Sequence, residues 1–251
     1  MVLVVDIGNS VIHFGIYDNG DIRDSITVAH IDCSVKKDFV SQWLNDNGII
    51  SSKTTVAVSS VYKPSHPLLE TFFQKTDLFY IRSDMEVGIN VPYVPKNALG
   101  TDRFANIVAF MRRYNSSGAV IDIGSALTVD IIGPSGNFYG GIIFPGPGLS
   151  ARVLGDKTTR LPGVTVEGVL KNWGNTTGES IQCGIYSSYK LLIPALLEQA
   201  KRELGVSDFY SVACGGWAGL WQNDWRCIDT FDPDHTLKGI GDIYNTVAKK
   251  K

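Results

Sequence analysis

Two short segments place an aspartate at the end of an apolar run and a glycine two positions after it. Asp6 and Gly8 form the first, and Asp122 and Gly124 form the second, close to half the chain later. Glycine permits a tight turn whose backbone amides approach a ligand and donate to phosphate oxygens. A carboxylate beside bound phosphate is a typical Mg²⁺ ligand. One copy often marks only a turn, but the repeat favours a site that holds the phosphates of a nucleotide.

Further residues with nucleotide-binding chemistry lie near these two segments. Asn9 and Ser10 follow the first glycine, and Ser125 follows the second. A pair of glycines, Gly215 and Gly216, comes after a predicted strand. Backbone without a β-carbon can approach a flat ring such as adenine, although paired glycines on their own more often mark a turn.

A third segment, residues 100–103, opens a predicted helix with the order Gly-Thr-Asp-Arg. The helix dipole favours an ionised Asp102, as a catalytic carboxylate would require, while the N-cap role common for aspartate is an equal alternative. Arg103 would suit a carboxylate or phosphate of a substrate, although an arginine in a first helical turn is usually a surface residue. Position alone leaves both alternatives open.

The apolar pattern predicts that two similar halves position these segments. Each half is predicted to begin with three strands that include a hairpin, followed by alternating helices and strands. This alternation predicts an α/β fold of mixed sheets flanked by helices. We expect the halves to be residues 1–115 and 116–251, with a cleft between them lined by strand ends and first turns.

The helices are predicted from apolar stripes at helical spacing. One predicted helix closes at Gly48, and its stripe contains Val35, Phe39, Val40, Trp43 and Leu44. The other predicted helices are a short one at 66–75, one opened by Asp102, a long one at about 178–204, and a last one at about 237–247.

Composition excludes several classes of protein. Hydrophobic residues make up 44% of the chain and charged residues 19%, which favours a globular protein over a disordered one. The net charge of -2 argues against a nucleic-acid partner. No apolar stretch is long enough to cross a membrane, no basic leader opens the chain, and no cysteine pair has Cys-x-x-Cys spacing. We therefore expect a cytoplasmic protein with reduced thiols.

Other catalytic frameworks lack support in the sequence. Neither the P-loop pattern nor Gly-x-Gly-x-x-Gly occurs, so the commonest nucleotide-binding motifs are absent. The four histidines are scattered, which makes a histidine-based metal site or triad improbable. The acidic pair Asp232 and Asp234 flanks a proline, and turn chemistry explains this better than a metal site.

Taken together, these motifs resemble those of the type III pantothenate kinase family, within the superfamily of acetate and sugar kinases, chaperones and actin. The similarity covers essentially the whole chain. It includes Tyr93, seven residues before Gly100, and the stretches 140–146, 177–184 and 232–239. The duplicated turns mark only the superfamily, whereas Tyr93 with the 100–103 segment is specific to the family.

The resemblance implies duplicated ribonuclease H-like halves, as in actin-like ATPases. It also implies ATP-dependent phosphorylation of pantothenate, the first step of coenzyme A biosynthesis. Asp102 would be the general base, Asp6 would orient Mg²⁺, and Asp122 would bind K⁺ or NH₄⁺. The remaining implied contacts are Gly8, Asn9, Ser10, Ser125, Gly215 and Gly216 for ATP, and Tyr93, Gly100, Thr101, Arg103 and Thr177 for pantothenate. Thr177 would reach its site from the partner subunit of a homodimer.

The sequence departs from the family pattern at three positions. Ser10 and Ser125 replace the commoner threonine and keep its hydroxyl, whereas Cys214 replaces a threonine or serine next to the glycine pair. Two alternative functions stay open. One is a kinase of another small hydroxyl-bearing acceptor, which Tyr93 and the 100–103 segment disfavour. The other is a non-catalytic regulator related to Bvg accessory factors, which the retention of all three candidate aspartates disfavours.

Overall fold

The computed structural model describes residues 1–33, 35–49, 54–61, 72–73, 78–168 and 171–248. They form two compact units: unit 1 contains residues 1–113 and the C-terminal helix that follows Asp234, and unit 2 contains residues 114–233. The chain first passes from unit 1 to unit 2 after residue 113, two residues before the predicted boundary at residue 115. The C-terminal helix differs from the prediction because its buried side chains, including Leu237 and Ile240, pack inside unit 1 and not in the second half.

The helices and strands alternate as the fold class requires. In chain order the strands are β1 (Val2–Ile7), β2 (Val11–Asp18), β3 (Asp21–Ala29), β4 (Val56–Ser60), β5 (Leu78–Tyr80), β6 (Gly118–Ile123), β7 (Ala126–Ile132), β8 (Phe138–Pro145), β9 (Tyr210–Cys214) and β10 (Thr230–Phe231). The α-helices are α1 (Lys37–Asp46), α2 (Thr101–Arg113), α3 (Pro147–Lys157), α4 (Thr177–Leu204) and α5 (His235–Ala248). Among the described residues, no helix is both long and apolar enough to cross a bilayer.

Unit 1 contains a mixed sheet in the order β3-β2-β1-β4-β5. The first three strands pair antiparallel, and β4 and β5 continue parallel to β1. One face packs on α1, where Leu3 and Val5 of β1 share a core with Trp43. The opposite face packs on α5, since a β-carbon on Gly15 would lie 2.7 Å from the side chain of Leu237.

Unit 2 repeats this arrangement with the order β8-β7-β6-β9-β10. Its first three strands are again antiparallel, and β9 and β10 run parallel to β6. One face of the sheet packs against α4, where Tyr189 and Ile193 share a core with Ile121 and Ala213. The long helix α4 begins after Thr176, whose hydroxyl accepts the Glu179 amide, a capping interaction that fixes where the helix starts.

Two sequence expectations need correction or lie beyond the described residues. The first helix begins at Lys37, so Val35 lies outside it, and Val35 and Phe39 are 83% and 53% exposed; only the rest of the predicted stripe is buried. The helix predicted at 66–75 lies outside the described residues except for positions 72 and 73. The predicted strands that begin each half, and the long helix that contains Pro194, are confirmed.

Candidate active site

Asp6 lies at the carboxyl end of β1, the central strand of unit 1. The strand register places it opposite His13 of β2 and beside Ser59 of β4. Residues paired in this way share one face of a sheet, so these side chains form a polar row. Ser59 is fully buried, and its hydroxyl lies 3.0 Å from that of Thr101 at the start of α2. This contact ties the strand next to Asp6 to the helix that carries Asp102.

The first predicted phosphate turn is closed by its own backbone and by a histidine. The Gly8 amide donates to the Val11 carbonyl at 3.0 Å, and the His30 amide donates to the Ser10 carbonyl at 3.0 Å. His30 Nε2 lies 2.9 Å from the Gly8 carbonyl, which can only accept, so this nitrogen carries the proton. Asn9 and Ser10 are exposed at the tip of the turn, where a ligand can reach them.

Asp102 is the second residue of α2 and is half-buried. The helix begins before it, at Thr101, so the N-cap alternative does not hold. Asp102 Oδ1 accepts the Arg103 amide at 2.7 Å. A β-carbon on Gly100 would lie 2.4 Å from this oxygen, so any other residue there would displace the carboxylate.

Burial raises the pKa of the Asp102 carboxyl above its ordinary value, against the lowering effect of the Arg103 amide and the Arg103 charge. Burial acts in this direction because it penalises the ionised form. A carboxylate with a raised pKa holds a proton more strongly and is therefore a better general base. The raised pKa is the property that a general base at this position would require.

Tyr93 and Arg103, which are ten positions apart in sequence, meet in unit 1. The guanidinium carbon of Arg103 lies 5.8 Å from the centre of the Tyr93 ring, within the range of a cation–π contact. Arg103 is only 5% exposed, so it is not the surface residue that its place in a first helical turn would suggest. The two residues predicted to bind the acceptor are therefore in contact with each other, and Arg103 directly follows Asp102 in the chain.

In unit 2 the backbone of Gly215 closely approaches the carboxylate of Asp122. A β-carbon on Gly215 would lie 2.4 Å from Asp122 Oδ1 and 2.6 Å from the Ile123 amide nitrogen. Gly215 also has φ of +85°, a conformation that favours glycine. The Trp217 amide donates to the Ile123 carbonyl at 3.0 Å, which holds this loop across the end of β6.

The turn after Asp122 is held in a similar way from its other side. The Gly146 amide donates to the Ser125 carbonyl at 2.9 Å. A β-carbon on Gly146 would lie 2.1 Å from the Gly124 carbonyl, so only glycine allows this approach. The second predicted phosphate turn is therefore packed against the residue that precedes α3, while Gly216 on the neighbouring loop is exposed.

Thr128 of β7 lies opposite Asp122 in the strand register, and both side chains share one face of the sheet. Thr128 is 8% exposed, and its hydroxyl has no hydrogen-bond partner among the described residues. A buried hydroxyl without a partner is costly. The Thr128 hydroxyl oxygen, next to Asp122, is therefore available to bind a ligand.

Thr177 occupies the first position of α4 and is exposed. The described residues hold no cluster of three or more histidine, cysteine, aspartate or glutamate side chains that could bind a metal by itself. A cation bound beside Asp6 or Asp122 would be completed by other oxygen atoms, such as those of hydroxyl groups, backbone carbonyls, water or a ligand. Such mixed coordination is usual for Mg²⁺ bound to a nucleotide.

The sequence analysis missed three side chains in unit 1. His13 and Ser59 flank Asp6 in the sheet, and His30 closes the phosphate turn. The alternation of β2 puts His13 on one of two faces, but only the register with β1 places it opposite Asp6. His30 gave no signal, because its partner lies 22 positions earlier in the chain.

Two mixed sheets of the same strand order, each with an acid at the end of its central strand and a glycine turn after it, define the duplicated ribonuclease H-like fold of actin-like ATPases and sugar kinases. Solved structures agree with this class. A Baf family protein from Campylobacter jejuni matches with a TM-score of 0.62 at 20% identity, covering 99% of this chain and 100% of that one. An activator of 2-hydroxyisocaproyl-CoA dehydratase from Clostridium difficile, with bound ADPNP, matches with a TM-score of 0.57 at 14% identity, covering 99% and 96%.

The family follows from sequence comparison. The model of type III pantothenate kinase matches residues 2–199. A type III pantothenate kinase from Persephonella marina is 34% identical, covering 98% of both chains, and one from Methylacidiphilum infernorum is 31% identical, covering 99% of this chain and 90% of its own. The chain belongs to the type III pantothenate kinase family.

Proposed function

We propose that this protein transfers the γ-phosphoryl group of ATP to pantothenate and so forms 4'-phosphopantothenate, the first step of coenzyme A biosynthesis. The observation that carries the proposal is the Asp102 carboxylate. It is half-buried, has a raised pKa, is held against Gly100, and lies beside the Tyr93–Arg103 contact. These residues form the segment that is specific to the family.

In the proposed reaction Asp102 accepts the proton of the primary hydroxyl of pantothenate. The hydroxyl oxygen forms a bond to the γ-phosphorus, the bond from that phosphorus to the bridging oxygen breaks, and ADP leaves. Phosphoryl transfer depends mainly on positioning and charge neutralisation. A carboxylate with a raised pKa is therefore a sufficient base. The Arg103 guanidinium, held by Tyr93, would pair with the carboxylate of pantothenate.

Each unit offers candidate contacts for ATP. In unit 1 Gly8 shapes the turn, and the exposed Asn9 and Ser10 would bind phosphate oxygens. In unit 2 Ser125 would contact phosphate, and Gly215 and Gly216 would contact the adenosine. Thr101 would contact pantothenate, although its hydroxyl also lies beside that of Ser59.

Asp6 has the chemistry of a Mg²⁺ ligand. It offers a hard carboxylate beside a turn with exposed polar groups, and Mg²⁺ typically takes one or two carboxylates together with phosphate oxygens and water. When bound, Mg²⁺ would neutralise charge on the phosphates. The part of this chain is to hold the carboxylate at the end of β1, flanked by His13 and Ser59.

Asp122 would hold the monovalent cation, K⁺ or NH₄⁺. Two features of unit 2 fit this role. The backbone of Gly215 closely approaches the carboxylate, and the Thr128 hydroxyl on the same sheet face lacks a partner among the described residues. Oxygen donors of this kind suit K⁺. When bound, the cation would supply positive charge beside the phosphates of ATP.

A homodimer is proposed from the edge strand β8. This strand exposes Tyr139, Ile142, Ile143 and Phe144, with exposures between 40% and 64%. Its counterpart in unit 1, the edge strand β3, carries Asp21, Arg23 and Asp24 instead. Charged edges prevent pairing between chains, whereas an exposed apolar edge invites it. We therefore assign β8 to contact with a second copy of the chain, and Thr177 would enter the partner's pantothenate site.

The deciding experiment is turnover of purified protein with ATP, Mg²⁺ and pantothenate, in the presence and absence of K⁺. We expect ADP and 4'-phosphopantothenate in equal amounts and a faster rate with K⁺. ADP production no higher than in the absence of pantothenate would overturn the proposal. Production that rises only with a different hydroxyl-bearing acceptor would assign another substrate, and binding of ATP without any turnover would favour a regulatory role.

A cytoplasmic location agrees with the four free thiols.

The dimer is tested by sedimentation of two variants. Ile143→Glu places a charge on β8 and should give monomers, while Ile31→Glu, at an 89% exposed position of unit 1, should leave the dimer intact. A monomeric wild type, or an Ile143→Glu variant that stays dimeric, would contradict the assignment. Thr177→Ala should weaken pantothenate binding without changing the dimer, and unchanged binding would count against the composite site.

A further inference from the structure

The acidic turn at residues 232–234 has no assigned role in the proposed reaction. Its last residue and the two that follow contact the β2 neighbour of Asp6 and the helix that carries Asp102. Asp234 directly precedes α5, and its carbonyl accepts the Lys238 amide at 2.9 Å, so the helix starts here. The next two residues, His235 and Thr236, are buried. These three consecutive residues are called the α5 start below.

The first contact of the α5 start is with the strand next to Asp6. Asp234 Oδ1 lies 3.3 Å from His13 Nε2, and both side chains are mostly buried. His13 is the direct cross-strand partner of Asp6, and paired residues of this kind lie about 4.5–5.5 Å apart at their β-carbons. Asp234 therefore contacts the cross-strand neighbour of Asp6.

The second contact is with α2, one turn after Asp102. The His235 imidazole donates from Nε2 to the Asn106 carbonyl at 3.2 Å, and the Thr236 hydroxyl donates to Asn106 Oδ1 at 2.8 Å. His235 and Asn106 are fully buried. Residues four apart lie on the same face of a helix, so these bonds hold the helix face that carries Asp102.

The packing of α5 leaves little freedom in this arrangement. A β-carbon on Gly239 would lie 2.0 Å from the Ala105 carbonyl, so the two helices touch backbone to backbone one turn after the α5 start. Close contact of this kind transmits a shift of one helix directly to the other. The α5 start therefore contacts His13, on the strand paired with that of Asp6, and is hydrogen-bonded to the helix that carries Asp102.

We propose that Asp234, His235 and Thr236 are positioning residues that set the placement of Asp102 relative to Asp6. The inference rests on the proposed kinase function for its catalytic consequence, but the mechanical part concerns unit 1 alone. A misplacement of about 1 Å at a reacting group can lower a rate roughly 100-fold. Loss of one bond from the α5 start should therefore lower kcat by about 10-fold or more while KM changes little.

The test compares three variants at a temperature well below their melting points. Thr236→Val removes the hydroxyl that donates to Asn106, and Thr236→Ser keeps it. Tyr17→Phe is the matched control, since the Tyr17 hydroxyl donates to Asp242 Oδ1 at 2.6 Å and so secures the same helix α5 at a site two turns further along. Thr236→Val and Tyr17→Phe should both lower the melting temperature. Only Thr236→Val should lower kcat per folded molecule, and Thr236→Ser should restore it.

A second readout does not depend on substrate. Hydrogen exchange should accelerate in peptides that cover residues 101–106 in Thr236→Val and remain unchanged there in Tyr17→Phe. Asp234→Ala provides an independent arm should Thr236→Val fail to fold, with Asp234→Asn as its conservative partner. Equal kcat and equal 101–106 exchange in the test and control variants would overturn the inference. If the variants differ in 101–106 exchange as predicted but the wild type does not phosphorylate pantothenate, the proposed function is overturned. The inference that the α5 start positions α2 is then unaffected.

Discussion

Units 1 and 2 share one scaffold but differ in the groups that it presents. In both, the central strand has the same pattern of burial and carries an aspartate as its next-to-last residue. Across the sheet, Asp6 is flanked by His13 and Ser59, whereas Asp122 is flanked by Thr128 and Cys214.

The difference continues in the segments around each acid. Unit 1 adds ionisable side chains from two helices, with Asp102 on α2 and Asp234 before α5. Unit 2 adds glycine backbone, with Gly146 and Gly215 packed against the turn and the acid. In the proposed function, unit 1 would act through side chains that accept a proton and orient groups, and unit 2 through backbone and the proposed cation. Substitutions in the two halves should therefore fail in different ways.

The largest effect is expected for Asp102→Asn in unit 1. The amide keeps an oxygen for the Arg103 amide but cannot accept a proton, so turnover should fall by roughly two to four orders of magnitude. The protein should fold normally, because removing a partly buried charge relieves a desolvation penalty. Steady-state kinetics and a melting curve check both statements. Activity close to that of wild type would remove Asp102 from the role of base.

The pH dependence of kcat/KM tests the same residue in the wild type. Burial raises the pKa of Asp102, and the base must be ionised to act. Activity should thus fall on the acid side at a pH above the ordinary aspartate value of about 3.9. The free energy of unfolding should change in the opposite direction. Because the folded state binds the Asp102 proton more tightly than the unfolded state, protonation stabilises the fold at low pH. This stabilisation is lost as pH rises through the raised pKa. An acid limb at or below 3.9 would contradict this assignment.

In unit 2 the backbone itself is the target, through Gly215→Ala. The added methyl group would overlap Asp122 Oδ1 and the Ile123 backbone, at a position with φ of +85°. We expect the free energy of unfolding to fall by about 2–4 kcal/mol, since overpacking and a left-handed conformation add. Chemical denaturation measures this. Gly219→Ala is the control, because no atom of the described residues lies within 4 Å of its added carbon, and it should change stability by less than about 0.5 kcal/mol.

A smaller effect of opposite sign is expected for Thr128→Val. Its buried hydroxyl lacks a partner among the described residues, so an isosteric apolar side chain should stabilise the protein without K⁺ by about 1 kcal/mol. If the hydroxyl helps to hold the cation at Asp122, the variant should also lose part of its stabilisation by K⁺. Melting curves with and without K⁺ separate the two statements. An equal K⁺ dependence in both proteins would remove Thr128 from the cation site.

Sequence reasoning recovered the features that are local in the chain. The strand-acid-glycine turns and the helix opened by residues 100–103 depend on neighbours within a few positions, and both are in place. It placed α5 in the wrong half, because the packing partner of its buried face lies in α2, far back along the chain. The polar row around Asp6 was beyond reach for a similar reason. His13 and Ser59 come together only through strand register, which composition and periodicity leave undetermined.

The smallest effect should come from Cys214→Ser, which makes the row of unit 2 resemble that of unit 1. Cys214 occupies the place beside Asp122 that Ser59 occupies beside Asp6. At 1% exposure its thiol is buried in the sheet, so any contact of this segment with a nucleotide must run through the glycines that follow. We therefore expect the replacement of the family's usual hydroxyl by a thiol to affect packing and to leave the nucleotide site unchanged.

The KM for ATP should accordingly stay within about threefold of wild type, less than the tenfold that 1.4 kcal/mol would give. Stability should change by no more than about 1 kcal/mol, since a buried hydroxyl needs a partner that the thiol did not. Comparing KM values for ATP and GTP in both proteins gives a sharper test. A shift in the ratio of the two KM values would mean that the side chain of residue 214 contributes to recognition of the nucleotide base. This would contradict the view that unit 2 contacts the nucleotide through backbone.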